Sequence, residues 1–289
     1  MSEPTTHTVN APGATIYYDV REAEGQNGAP PLMMIASPMD AGAFATLVGH
    51  FPDRTVVTYD PRGAARSKRT DGAEQTTPEE HADDLHRVIE ALGTGPVDLF
   101  ASSGGAVNAL ALVAQHPDDV RTLVAHEPPA AQVLPDREEA MAAATGIHET
   151  YLRDGLGPAM AKFIVLVSLK GPVPAGFGDH PAPNPAQFGL PTEDDGRRDD
   201  ALVGQNIVSS THYEHDFDSL RAASTRVVIA AGVESEGELA YRAALAVAEE
   251  LGTEPAIFPS GHGGFLGGEY GQTGDPDAFA ATLREVLGE

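Results

Sequence analysis

The chain has 289 residues, 41% of them apolar, enough for one large α/β domain carrying an insertion or for two domains. It contains no cysteine, which excludes disulfides, thiolate metal sites and a cysteine nucleophile. Its 18 basic and 43 acidic side chains leave a formal charge of −25, a solvated acidic shell that repels nucleic-acid phosphates and anionic membranes.

Residues 1–6 have neither a basic start nor an apolar core, so no secretory signal is expected. The most apolar run, 161–169, is too short to cross a bilayer and contains Lys162, so a cytoplasmic protein is the expectation. Residues 15–20 read as an early strand, 25–31 as a turn, 31–36 as a buried strand, 41–51 as a helix and 54–60 as another strand. Pro61-Arg62-Gly63 opens a polar loop to Thr77. Residues 78–92 are helical: Thr77 can cap, Pro78 suits the first position and Glu80 completes a capping box. Ala82, Leu85, Val88, Ile89 and Leu92 fall on its apolar face.

The stretch 96–107 organises the rest. A mostly apolar strand runs into Ala101-Ser102-Ser103-Gly104-Gly105, and an alanine-rich helix begins at once. This is a small-x-Ser-x-Gly form of the nucleophile elbow, centred on Ser103. A sharp strand-to-helix turn tolerates only small residues two places before and two places after its centre, here Ala101 and Gly105. Centring it on Ser102 would put Phe100 at a small-residue position. The Gly104 N–H then lies at a helix N-terminus, where an oxyanion is favoured.

Residues 120–126 form the next strand, ended by Glu127-Pro128-Pro129. Strands alternating with helices and reading as continuous apolar runs imply a mostly parallel sheet with helices on both faces. The alternation breaks near Pro129 and returns near Asp216. Between them, 138–153 and 156–170 look helical, 171–191 carries six prolines, and 193–200 is a charged, exposed loop without calcium-loop spacing. We read 130–215 as a helical lid inserted after the sixth strand, over the strands' carboxyl ends, with 1–129 and 216–289 forming the core. Helices at 217–221, 237–251 and 276–287 and strands at 225–231 and 255–259 complete it. No internal repeat is present.

A serine nucleophile needs a base, and the base needs an acid to fix its tautomer. His262, in Ser260-Gly261-His262-Gly263-Gly264 directly after the last strand, is the candidate base. The acid is expected after the preceding strand, where Glu234 is preferred over Glu236; Glu127 is a third choice. His212 and His215, beside Glu214 and Asp216, could hold a metal, but a polar hinge is favoured. His126 reads as a core histidine. Gly104-Gly105 lacks the Lys-Ser/Thr of a phosphate loop.

With Ser103, an acid near 234 and His262 in this order, and with Asp60-Pro61-Arg62-Gly63 and Ser67 as a structural loop, the chain resembles an α/β-hydrolase over about 15–287. Within that family it resembles the lidded kind related to esterases and cofactor-free haloperoxidases. That family usually carries His-Gly after the third strand; here Ala36-Ser37-Pro38-Met39-Asp40 stands there, and Pro38 has no N–H. The second oxyanion donor is then the Met39 N–H, or the Ser37 hydroxyl if the loop is shifted. The resemblance implies a hydrolase acting on a carboxylic ester or lactone of a small, hydrophobic molecule, with no cofactor and no metal. The apolar stripe of Met160, Phe163, Ile164 and Val167 suits either such a substrate or lid packing. Serine in place of aspartate argues against dehalogenases and epoxide hydrolases. A perhydrolase, a carbon–carbon bond hydrolase or a non-catalytic small-molecule binder on this scaffold are the alternatives. The expected partner is a small-molecule substrate, with neither nucleic acid nor membrane; a homodimer is compatible with the chain.

Overall fold

The structure, a computed structural model, describes residues 3–25 and 28–289, so the turn expected at 25–31 falls partly outside the described residues. The described residues form an eight-stranded sheet of order β1-β2-β4-β3-β5-β6-β7-β8. Its strands are β1 (Thr5–Ala11), β2 (Ala14–Arg21), β3 (Leu32–Ser37), β4 (Val56–Tyr59), β5 (Val97–Ser103), β6 (Val120–His126), β7 (Arg226–Gly232) and β8 (Ala256–Phe258). β2 is antiparallel to both β1 and β4; every other pairing is parallel. β1 was not expected from sequence. Thr-Thr-His-Thr-Val-Asn-Ala has only Val9 and Ala11 as apolar side chains, which pack against the core, while its other residues lie exposed on a sheet edge, held by a continuous ladder to β2.

The central strands are buried on both faces, which is why they lack polar alternation. In β3, Met33 and Ile35 join an apolar cluster with Leu85 and Leu110 on one side of the sheet. Leu32, Met34 and Ala36 face the other side, among Leu47, Phe100, Phe279 and Leu283. The first layer is supplied by α2 (Pro78–Leu92), α3 (Gly104–Gln115) and α8 (Leu239–Leu251), the second by α1 (Ala45–Val48) and α9 (Pro276–Leu287). The helix expected over 41–51 is shorter, a 3-10 turn at Ala41–Phe44 followed by α1. Phe51 precedes Pro52, and a residue before proline is pushed out of the helical region. The capping box at the start of α2 is present, with both reciprocal Thr77–Glu80 hydrogen bonds. Arg62 is buried and donates twice to Asp84 of α2, at 2.9 and 2.6 Å, fixing the loop after β4 to the helix that follows.

Between β6 and β7 the chain forms α4 (Arg137–Asp154), α5 (Leu156–Val167), a proline-rich stretch of short turns, a π-helical turn at Ala201–Asn206, α6 (Ile207–Thr211) and α7 (Phe217–Ala222). Ile147, Tyr151, Leu166, Val203 and Ile207 build a separate apolar cluster there, joined by Leu239 and Ala243 of α8. Met160 and Phe163 pack against that cluster, while Val167 is exposed, so the α5 stripe serves packing along much of its length. This segment bonds to loops that leave the carboxyl ends of core strands: Ser209 Oγ donates to Thr76 O at 2.6 Å, and Gly171 N–H to Gly237 O at 2.8 Å.

Where β5 turns into α3, a Cβ on Gly105 would lie 2.7 Å from Ala36 Cα and 2.9 Å from Ala36 C, both backbone atoms of the neighbouring strand. We predict that Gly105→Ala destabilises the fold by about 1–3 kcal/mol through overpacking. The measurement is a thermal melt, and an unchanged melting temperature would contradict the close packing of α3 on β3.

Candidate active site

Ser103 ends β5 and caps α3 with φ 57° and ψ −131°, a conformation a non-glycine residue adopts only under constraint. The constraint is visible on both sides. Ser37 lies opposite it in the parallel β3–β5 ladder, and Gly105 lets the helix descend onto Ala36. Gly104 is the first residue of α3, so its N–H has no acceptor within the helix. Neighbouring Ser102 is buried and pairs in register with His126, its Oγ 3.3 Å from His126 Nδ1. Ser103 is the partly exposed member of the two.

His262 stands in the loop after β8. Its Nδ1 lies 2.5 Å from Glu127 Oε2, and the imidazole is 40% exposed while the carboxylate is fully buried. Glu127 is the residue after β6, turned inward by a left-handed backbone at φ 48°. Its other oxygen, Oε1, accepts the Gly232 N–H at 2.8 Å, from the end of β7. Burial by itself would raise the carboxyl pKa. The His262 hydrogen bond, the two nearby imidazoles of His126 and His262 and the Gly232 N–H outweigh it, holding the group at about 2. Glu127 is therefore an acceptor only, and the proton between the two groups sits on His262 Nδ1. That fixes which ring nitrogen donates to the carboxylate.

The preferred carboxylate of the sequence reading, Glu234, does not meet the imidazole. It is exposed, its N–H donates to Ser260 O at 3.0 Å, and its side chain accepts from Ser260 Oγ at 3.4 Å. It anchors the start of the loop that carries His262. Glu236 is also exposed, after the 3-10 turn Val233–Ser235. The third-ranked Glu127 occupies the place because β6 lies between β5 and β7 in the sheet, one strand nearer the elbow. In the sequence it is marked only by its place directly after the strand that ends Leu123-Val124-Ala125-His126, before Pro128-Pro129. The Gly232 amide, which holds that carboxylate, gave no signal.

Ser37 is buried beside the elbow, the Ser37–Pro38 peptide is cis, and Met39 is half-buried in the following loop. His126 is fully buried among Phe100, Phe258 and Phe279, and burial pushes it down to about 4, so it is neutral. His212 and His215 do not converge on a common point. His212 contacts the Thr211 and Thr145 hydroxyls, and His215 lies against the Tyr213 and Phe217 rings.

Taken together, a strained serine at a helix N-terminus and a carboxylate-bound imidazole occupy the same edge of a parallel sheet. Residues 38–161 match the family model described as alpha/beta hydrolase fold. An uncharacterized hydrolase of Bacillus subtilis is 29% identical over 276 residues, 89% of each chain. Among solved structures, a thermophilic esterase from Thermogutta terrifontis aligns at TM-score 0.66 and 21% identity, over 99% of this chain and 98% of that one. A Mycobacterium tuberculosis protein titled as a non-heme bromoperoxidase aligns at 0.64 and 19%, over 94% and 95%. No helix among the described residues is long and apolar enough to cross a membrane. The chain has the α/β-hydrolase fold, and its residues 38–161 match that family's model.

Proposed function

We propose that this enzyme is a serine hydrolase that cleaves a carboxylic ester or lactone through an acyl-enzyme on Ser103. The observation that carries this reading is the Glu127–His262 pair at the strand edge that also presents the strained Ser103. In the reaction, His262 Nε2 takes the Ser103 proton as Oγ attacks the substrate carbonyl carbon. Negative charge gathers on the carbonyl oxygen, where the Gly104 N–H and a donor from the loop 37–39 receive it. With Pro38 unable to donate, Met39 N–H is our choice and the Ser37 hydroxyl the alternative. His262, now protonated and neutralised by Glu127, returns the proton to the leaving alkoxide. Water, deprotonated by the same imidazole, then attacks the acyl carbon and releases the acid. The helical segment between β6 and β7 serves as the lid; its bonds to Thr76 and Gly237 support that placement. Names among the structural relatives agree with ester and lactone chemistry, one being an N-acyl homoserine lactone degrading enzyme.

A fluorophosphonate probe should label the folded protein stoichiometrically, and Ser103→Ala should abolish labelling. The same substitution should lower kcat on a short-chain aryl ester by about 10⁴–10⁶. Folded wild-type protein that resists labelling would instead indicate a binding protein on this scaffold.

Glu127→Gln should cut kcat by roughly 10³–10⁴, the cost of a lost tautomer anchor, whereas Glu234→Gln should stay within about threefold. Steady-state kinetics decide, and equal effects of the two would remove Glu127 from the role.

The same carboxylate predicts acid sensitivity. Its folded pKa, about 2, lies below the ordinary 4.5, so its stabilisation is complete above pH 4.5 and lost as pH falls toward 2. Denaturant melts should therefore show the gap between wild type and Glu127→Gln shrinking over that interval; a gap that grows on acidification would contradict it.

A further inference from the structure

At the opposite end of α3 from Ser103 lies a second group of reactive side chains. His86 on α2, His116 at the C-terminus of α3 and Asp119 in the turn before β6 bring one ligand atom each to within 4.8 Å of one another. His86 Nδ1 is 2.7 Å from Asp119 Oδ2, and the His86 and His116 rings are stacked, 3.8 Å between centroids and 9° from parallel. One helical turn on, Glu90 Oε2 lies 3.5 Å from His86 Nε2.

We propose that His86, His116 and Asp119 form a binding site for a first-row divalent transition ion of the Zn²⁺ class. Two imidazoles and one carboxylate are the donor set that suits zinc, nickel, cobalt or copper; magnesium and calcium ask for oxygen ligands. With metal–nitrogen and metal–oxygen bonds of about 2.0–2.2 Å, tetrahedral ligand atoms sit roughly 3.3–3.5 Å apart. The His86–Asp119 pair must open by well under an ångström to admit an ion in place of the shared proton. The stacked rings hold their in-plane lone pairs parallel, so one imidazole must turn out of the stack for both nitrogens to reach one ion. Water completes four-coordination, and Glu90, at the other ring nitrogen of His86, orients that imidazole from outside.

Two of the three ligands are held by backbone bonds that do not depend on a metal. His116 N–H donates to Leu112 O at 2.7 Å, Asp119 N–H closes the turn on His116 O at 3.1 Å, and Asp119 O accepts Val97 N–H at 3.0 Å. The ion would therefore tie α2 to the turn between α3 and β6. Twelve helical residues separate it from the elbow, about 18 Å along the axis, so it cannot touch the reacting atoms. Its role is to clamp the scaffold.

The test is calorimetric titration of the untagged, EDTA-stripped full chain with zinc sulfate. One ion per chain should bind and raise the melting temperature. Removing even an outer partner of a metal site costs about 10–100-fold in affinity, so His86→Ala and His116→Ala should each weaken binding at least that much. Asp119→Asn keeps size and shape while losing the charge, and covers the case in which a histidine variant fails to fold. Cobalt(II) should give the visible bands of a four-coordinate nitrogen–oxygen site in wild type and not in His116→Ala. No saturable binding at millimolar zinc overturns the proposal, as do affinities or cobalt spectra unchanged in the variants.

Discussion

A carboxylate sealed from solvent has to find its hydrogen bonds and its compensating charge within the protein, or it will not stay ionised. Glu127 finds them at three neighbouring strand ends. β6 delivers the residue itself, β7 offers the Gly232 amide, and the loop after β8 brings the His262 imidazole. Because these strands run parallel, their carboxyl ends gather at one edge of the sheet, and β5 adds Ser103 to the same row. The order of strands thus fixes which groups meet, and the buried charge decides which ring nitrogen of His262 donates to it.

The backbone is distorted where these groups are presented. Ser103, Glu127 and Ser260, of which Ser260 lies two positions before His262, are non-glycine residues with φ of 57°, 48° and 64°. Each such conformation costs on the order of 1–3 kcal/mol and persists only if its surroundings enforce it. Those surroundings are rigid: the β3–β5 ladder and Gly105 contact at Ser103, the Ala230 carbonyl accepting the Glu127 N–H, and the Glu234 amide donating to Ser260 O. Glu234 thereby contributes to the geometry of the His262 loop from a distance, as an anchor on the surface.

The segment between β6 and β7 has an apolar cluster of its own but is not independent of the core. Leu239 and Ala243 of α8 belong to that cluster, and Arg242 on the same helix pairs with Asp136 at the entrance to α4. Asn206 reaches the buried His81 of α2 at 2.8 Å. Polar bonds at its margins and apolar packing at its centre hold the segment against the loops that surround the strand edge.

The sequence by itself determined the architecture and the elbow. Continuous apolar strands can only be buried on both faces, Thr77-Pro78-Glu80 can only begin a helix, and Ala101-Ser-Ser-Gly-Gly needs small residues where a helix must approach a strand. It also brought out His262, by its position after the last strand. It did not determine the acid. Glu127, Glu234 and Glu236 all follow strand ends, and nothing local distinguishes them. Only the folded chain does so, because inward rotation of Glu127 depends on β6 lying between β5 and β7, on a left-handed φ at that residue, and on an amide aimed from Gly232, 105 positions away in the chain. The pairing of β1 was hidden for the same kind of reason. A polar edge strand is specified by its neighbour's ladder, and that neighbour is a property of the tertiary structure.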